Sequence, residues 1–289
     1  MGLDWQRVIV VYGMLALSMA CAALWIGGIK LRRKFRKERH PISEKIRRSP
    51  GYSLRLEVDQ LQETYLEWVG ILCFAPMFLT TCVFATSKTL ISSWLLAILI
   101  ACIVGTCLWR LTFWHRKLRA HRLGLAGELI VAQYLDELRE HGYKIFHDYP
   151  LERSNVDHVV VGPTGVFAIE TKTRRKRSGA NGTEDYKVCF DGQKLVYPHC
   201  VDRRGSEQAK RQAEMISSLL HRRLGYKVHV APVLALPGWY VTEKVKSNLQ
   251  VLNPKLLAGR ILAAKRLLSA DEIRNISNAI DENCRGVEI

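Results

Sequence analysis

The sequence predicts a mixed α/β sheet flanked by helices, preceded by an all-α membrane region of three transmembrane helices. Three observations predict it. Long apolar runs crowd the first 109 residues, Lys and Arg cluster beside those runs, and beyond Leu123 the apolar spacing alternates between helical and strand periods.

The apolar runs are residues 8–29, 69–87 and 89–109, of 22, 19 and 21 positions, each without a charged side chain. Crossing the hydrocarbon core takes roughly 20 apolar residues at a rise of about 1.5 Å each, and all three runs reach that length. The first is longer than the apolar core of a signal peptide (about 7–15 residues) and lacks a small-x-small cleavage site, so it reads as an anchor. No polar face recurs at helical spacing in the other two, which argues against soluble amphipathic helices.

Charge orients these spans. Residues 30–48 hold ten Lys/Arg against two Glu, and residues 110–122 hold five Lys/Arg and no acid. Basic loops stay on the cytoplasmic side, which puts the N-terminus outside, a tight external turn near Ser87-Lys88-Thr89, and everything beyond residue 110 in the cytoplasm of a cell with an inner membrane. A net charge of +16 suggests a nucleic-acid partner, but thirteen of those charges lie beside the membrane, where they attract anionic lipid headgroups. Residues 123–289 retain 25 Lys/Arg against 20 Asp/Glu, a mild excess. Five of the eight cysteines lie in the apolar runs, and Cys189, Cys200 and Cys284 lack zinc-ligand spacing. The expected organisation is an anchor at 1–29, a basic segment with an amphipathic helix at 30–68, a transmembrane hairpin at 69–109, a basic linker at 110–122 and a globular domain at 123–289.

Within that domain, residues 124–141 place Leu125, Leu129, Ala132, Leu135 and Leu138 on one helical face before a stop at Gly142. Strands are expected at 144–151, 155–162 and 166–173, the last two joined by a Pro163-Thr164-Gly165 turn. An Asp191-Gly192 hairpin follows, then a helix over 206–225, strands at 227–236 and 248–254, and a last helix opened by a Ser269/Glu272 capping box.

Asp157 lies near the start of one strand, and Glu170 and Lys172 stand two apart on the next, so the latter two share a face. The turn between the strands makes them antiparallel and can bring Asp157 beside Glu170. Two carboxylates and an ammonium suit metal-assisted phosphodiester hydrolysis, with Asp157 and Glu170 as oxygen ligands for Mg²⁺ (or Mn²⁺) and Lys172 at the attacking water or the developing phosphorane charge. The same spacing also suits an ordinary ion pair at a strand end.

Residues 124–172 resemble the nuclease-related domain (NERD) family, itself related to the PD-(D/E)xK nucleases of restriction-endonuclease-like fold. The resemblance rests on Gly127-Glu128 in the first helix, Asp157 in NVDHVVVGPTG, and Glu170-Thr171-Lys172 as the ExK element. Val156 stands where the broader pattern has proline. Similarity extends to Gln208 in the helix after the hairpin and weakens toward residue 255. It implies that Glu128 is a further acid near the metal and that Gln208 orients a phosphate or the water. Each also suits an exposed helix position, Glu128 being favourable to the dipole of a first turn. The Arg174-Arg175-Lys176-Arg177 run directly follows the ExK strand and suits a nucleic-acid backbone, DNA ahead of RNA. Restriction-type folds often pair to cut both strands, so a homodimer is a further expectation. His158 faces away from Asp157 and reads as packing.

The leading expectation is therefore a membrane-anchored, metal-dependent nuclease. The alternative is a membrane-tethered nucleic-acid-binding module or adaptor without turnover, which would have no need of the Asp, Glu and Lys set.

Overall fold

The computed structural model describes residue 13 and residues 46–85, 93–152, 154–176 and 186–287. Apart from Gly13, the expected first span lies outside the described residues, as does the turn at 87–89. The chain divides into two compact units, one containing residues 59–119 and the other combining residues 42–58 with 120–289.

Two helices are long and apolar enough to cross a membrane, over Tyr52–Thr81 and Trp94–His141, and the first unit holds the parts of them within residues 59–119. The first helix lies in α1 (Tyr52–Ala85), and the second runs through α2 (Ser93–Asp136) into a 3-10 turn (Glu137–His141). Their large apolar side chains stay uncovered, among them Phe74, Phe78, Trp94, Ile98 and Trp109. Thr80 and Thr81 both donate to the Met77 carbonyl, and Thr106 donates to that of Cys102, so these hydroxyls are satisfied within their own helices. The expected boundaries at 68/69, 109/110 and 122/123 do not interrupt either helix. The expected linker at 110–122 holds four Arg, two Leu, one Lys and one Ala, all good helix formers, and contains neither Gly nor Pro, so nothing stops propagation.

The second unit is built on a five-stranded sheet of order β10-β8-β4-β3-β2. Strands β2 (Lys144–Pro150), β3 (Asn155–Gly162) and β4 (Gly165–Thr171) form an antiparallel meander. Strands β8 (Val230–Ala235) and β10 (Gln250–Leu252) continue it in parallel. Gly162 faces Gly165 across the Pro163-Thr164 turn, as the sequence predicts, and Gly165 needs its missing Cβ for a φ of +130°.

Alternation along β3 and β4 sorts the core. Val159, Val161, Val166 and Ala168 pack on α3 (Arg204–Leu224) and α5 (Ala270–Cys284) through Ile216, Leu220, Ile276 and Ile280. Val160, Phe167 and Ile169 face the other way, onto Val131, Leu135 and Leu138, with α4 (Leu257–Leu262) adding Leu257 and Ile261. Both faces are covered, which explains the nearly unbroken apolar runs of β3 and β4. His158 joins the second face, where its Nδ1 lies 2.9 Å from that of His147. Burial lowers the pKa of both, that of His147 to about 4, so they pack as neutral rings.

A second sheet, order β7-β6-β5-β9, occupies the crossover between β4 and β8 and its sequel. It contains β5 (Lys187–Phe190), β6 (Leu195–Tyr197), β7 (Cys200–Asp202) and β9 (Tyr240–Glu243). Strands β7 and β9 are not anticipated from the sequence, being only three and four residues long. Phe190 pairs with Leu195, so the Asp191-Gly192 connection is a four-residue loop, with Asp191 Oδ1 accepting the Gln193 and Lys194 N–H groups. The Ser269–Glu272 capping box forms as expected.

Residues 46–58 belong to this unit. Strand β1 (Ile46–Arg47) pairs with β11 (Arg285–Val287), and the Arg48 N–H donates to the Cys284 carbonyl. Arg48 also reaches the buried Asp148 carboxylate at 3.0 Å, and Ser53 Oγ donates to the same oxygen at 2.7 Å. The second unit therefore includes the first residues of α1 and the last residues of α2. Arg48→Ala leaves Asp148 buried without its cation and should destabilise this unit by about 2–3 kcal/mol. A denaturation midpoint of the full chain equal to that of the parent would remove residues 46–58 from the folding unit.

Candidate active site

The site forms where the β3–β4 ladder ends. Its last pair is His158 with Ile169, and one further step of that register sets Asp157 opposite Glu170. The Asp157 carboxylate there accepts the Thr171 N–H at 2.7 Å. Alternation then turns Asp157, Glu170 and Lys172 toward the α3 side, the same side as Val159 and Ala168.

Glu170 is almost sealed from solvent, with 2% of its surface exposed. Lys172 Nζ donates to its Oε1 at 2.6 Å, and Gln212 Nε2 donates to Oε2 at 2.7 Å. The Gln212 amide also donates to the Asn155 carbonyl at 2.8 Å, tying α3 to the start of β3. Both carboxylate oxygens are thus met, which a buried carboxylate requires. Burial works against the Lys172 ammonium, but the charge and hydrogen bond of Glu170 outweigh it and its pKa rises.

The glutamine brought to Glu170 is Gln212, not Gln208. Gln208 lies one turn nearer the helix N-terminus and is half-buried, whereas Gln212 falls on the packed face with Ala209, Ala213 and Ile216. A polar residue within that apolar stripe was the available signal. Gly205, in the first turn of α3, lies so close that an added Cβ would stand 3.3 Å from Lys172 Cγ.

Glu128 does approach the acidic centre. It sits in the body of α2 and not in a first turn, so the favourable dipole expected of a helix start is absent. Burial chiefly, then the charges of Asp148 and Glu170, raise its pKa to about 7. Burial, then Glu170 and Glu128, also raise the pKa of Asp157. The helix comes this near because Gly127 has no side chain; a Cβ there would overlap Thr173 Cγ2 at 2.0 Å.

Asp148 is an acid that the pattern of the sequence did not single out. It is opposite Asp157 in register, between the pairs His147–His158 and Tyr149–Val156. Its φ of 49° makes it the one non-glycine residue with positive φ among the described residues, and this breaks the ladder at that step. Asn155 Nδ2 donates to its second oxygen at 3.2 Å, completing the set begun by Arg48 and Ser53.

The basic run after β4 is partly engaged. Arg174 lies over the Tyr197 ring at 4.9 Å and bonds Cys200 Sγ, with Asp202 3.6 Å away, so it fastens the loop to the second sheet. Lys176 stands 5.6 Å from the Trp239 ring centroid, Arg175 is exposed, and Arg177 lies outside the described residues.

Among the described residues, no group of three or more His, Cys, Asp or Glu is placed to hold a metal ion by itself. Two carboxylates are nonetheless a common protein contribution to Mg²⁺, which keeps several waters and takes phosphate oxygens from the substrate. Asp157 and Glu170 fit that donor set, and their mutual repulsion favours a cation between them.

Residues 123–237 match the family model described as nuclease-related domain. This segment is a nuclease-related domain. The chain is also similar to SfsA from Pyrococcus furiosus, solved in complex with Ca²⁺, at 16% identity and a TM-score of 0.23. That match covers 54% of this chain and 52% of SfsA, about half the length of each. No curated protein matches the chain.

Two outcomes test this geometry. Gln212→Ala strands a buried Glu170 oxygen and should lower stability by about 1–3 kcal/mol, while Gln208→Ala should cost well under 1 kcal/mol. Equal denaturation midpoints for the two variants would contradict the assignment. The second concerns pH. Glu128 has a folded pKa of about 7, against 4.5 when exposed, so the folded nuclease-related domain binds that proton more tightly than the unfolded chain. Stability is therefore lost as pH rises through that window. In metal-free buffer, Glu128→Gln should gain stability over the parent between those values, hold the gain above them, and show none below the lower one. A pH-independent difference would refute the burial of this carboxyl.

Proposed function

We propose that the chain is a metal-dependent nuclease of restriction-endonuclease-like fold, tethered by its apolar helices to the cytoplasmic face of a membrane. The observation that carries the reading is the Glu170 carboxylate, held by Lys172 and Gln212 beside Asp157, within a nuclease-related domain. A buried ion pair often contributes no more stability than a well-packed apolar pair, so the burial of Glu170 at a strand end favours a chemical role.

Asp157 and Glu170 would hold the divalent cation, Mg²⁺ or Mn²⁺. When bound, it would supply Lewis-acid polarisation of the scissile phosphate and a lower pKa for water. The chain's own groups do the remaining work. Lys172, charged through its contact with Glu170, stands ready to orient a water nucleophile and to offset charge growing on the phosphoryl oxygens. Gln212 keeps the Glu170 carboxylate in one orientation, and the Thr171 N–H does the same for Asp157. Glu128, with a pKa of about 7, can carry a proton near neutral pH, as hydrolysis demands of some group.

Membrane tethering is supported by the exposed apolar surfaces of α1 and α2 and by the Lys/Arg clusters at 30–48 and 110–122. DNA is the favoured substrate, and a homodimer would bring two such sites together.

The test is a cleavage assay of the full chain in detergent micelles on labelled DNA and RNA, with Mg²⁺ or Mn²⁺ and with chelator. Cleavage should require metal and fall at least about 100-fold in Asp157→Asn and in Lys172→Ala. Metal-independent cleavage, or full activity in folded variants, would exclude this mechanism.

A further inference from the structure

A groove of about 830 Å³ opens on the second unit, alongside the edge strand β9. It lies within the roughly 300–1,000 Å³ that suits a small organic ligand or part of a chain. Its wall carries Tyr186 and Tyr240, which are 46% and 58% exposed and meet edge to face at 6.4 Å between centroids. Large aromatic rings held half in water, paired across a parallel strand contact, are costly for a surface with nothing to bind.

The rings are firmly mounted. The Tyr240 N–H donates to the Tyr186 carbonyl at 2.9 Å, and the strands pair from Lys187–Tyr240 onward. Trp239 forms a buried part of the lining, packed edge to face on Tyr197 at 4.9 Å. Its indole N–H donates to the Arg174 carbonyl, and its own carbonyl accepts from Asn253. These bonds fix the groove to the chain that leaves Lys172.

Charge selects the ligand. Lys176, Lys255 and Arg260 line the groove, all exposed, against a single acid, Glu243. Glu243 already accepts the Val251 N–H, while Lys255 and Arg260 have no carboxylate partner among the described residues. Aromatic faces interleaved with cations are the means by which single strands are bound without sequence preference. A duplex hides its base faces in the stack and would need only a basic surface.

We infer that this groove binds the unpaired bases of a single-stranded nucleic acid, with Tyr240 and Tyr186 stacking on bases and Lys176, Lys255 and Arg260 meeting phosphates. The inference rests on the nuclease reading for its purpose and deepens it, since it names the substrate as single-stranded or locally unpaired. Lys176 is four residues from Lys172, so the groove starts within about 14 Å of the candidate catalytic lysine, within reach of one bound strand.

The test is fluorescence anisotropy of the full chain in detergent micelles, with chelator present to prevent cleavage. Probes are a fluorescein-labelled 20-nucleotide single-stranded DNA, its RNA counterpart, the matching DNA duplex, and inorganic polyphosphate as a base-free polyanion competitor. Single strands should bind at least about tenfold more tightly than duplex. Tyr240→Ala should weaken single-strand binding about tenfold, Tyr240→Phe should retain it, and the Lys255→Ala/Arg260→Ala double variant should flatten its salt dependence. Equal affinity for duplex, displacement by polyphosphate as strong as by unlabelled DNA, or unchanged binding in both alanine variants would each overturn the groove assignment. Metal-dependent cleavage of the same oligonucleotides separates the two readings. Cleavage with Tyr240-independent binding defeats the groove alone, and Tyr240-dependent binding without cleavage defeats the nuclease alone.

Discussion

A carboxylate buried at the end of β4 is the constraint around which the second unit is arranged. Glu170 needs a donor for each oxygen, and the two come from different levels of structure. Lys172 is local, placed on the same face by the two-residue period of the strand. Gln212 arrives on a helix some forty residues later in the chain, and only a properly seated α3 can deliver it. Seating α3 depends in turn on Ile216 and Leu220 packing over Val159 and Ala168. Core packing and the chemistry of the site are therefore one problem, since loosening the helix would leave Glu170 half-satisfied.

The electrostatic arrangement follows from the same burial. Asp157, Glu170 and Glu128 crowd one end of the sheet, and the Asp148 charge adds to the repulsion felt by Glu128. Lys172 alone does not balance them. The fold manages the excess by diverting Asp148, whose left-handed backbone leaves its carboxylate to Arg48 and Ser53, and by letting Glu128 keep a proton near neutral pH. This makes the segment at 46–58 part of the charge balance of the domain and not merely a basic flank of an apolar helix.

Much of this was legible in the sequence, and the rest was not for identifiable reasons. The meander and its GPTG turn were legible because two apolar strands flank a turn that only Gly165 permits. The trio was legible because strand alternation and a short turn fix relative position without tertiary knowledge. Gln212 was missed by one helical turn: it falls among Ala209, Ala213 and Ile216 on the packed face, whereas Gln208 is only half-buried. Asp148 and Arg48 were missed because a contact across one hundred residues leaves no local signature. Strands β7 and β9 are too short to show a period, and the join between membrane-type helix and domain helix in α2 carries no breaker to mark it.

Under the proposed nuclease reading, the division of charge gives the acidic centre and the basic periphery separate tasks. A phosphodiester is an anion, and a cluster of carboxylates with a single, already engaged ammonium repels it. On that reading, affinity for a strand would arise elsewhere, on surfaces such as the Lys176, Lys255 and Arg260 side of the aromatic groove, where Glu243 is the single acid of the lining. On the proposed mechanism, a divalent cation held by Asp157 and Glu170 would cancel that repulsion at the point of reaction. Grip and chemistry then separate in space, so substitutions at the periphery should alter affinity and salt dependence, while those at Asp157, Glu170 and Lys172 should alter turnover.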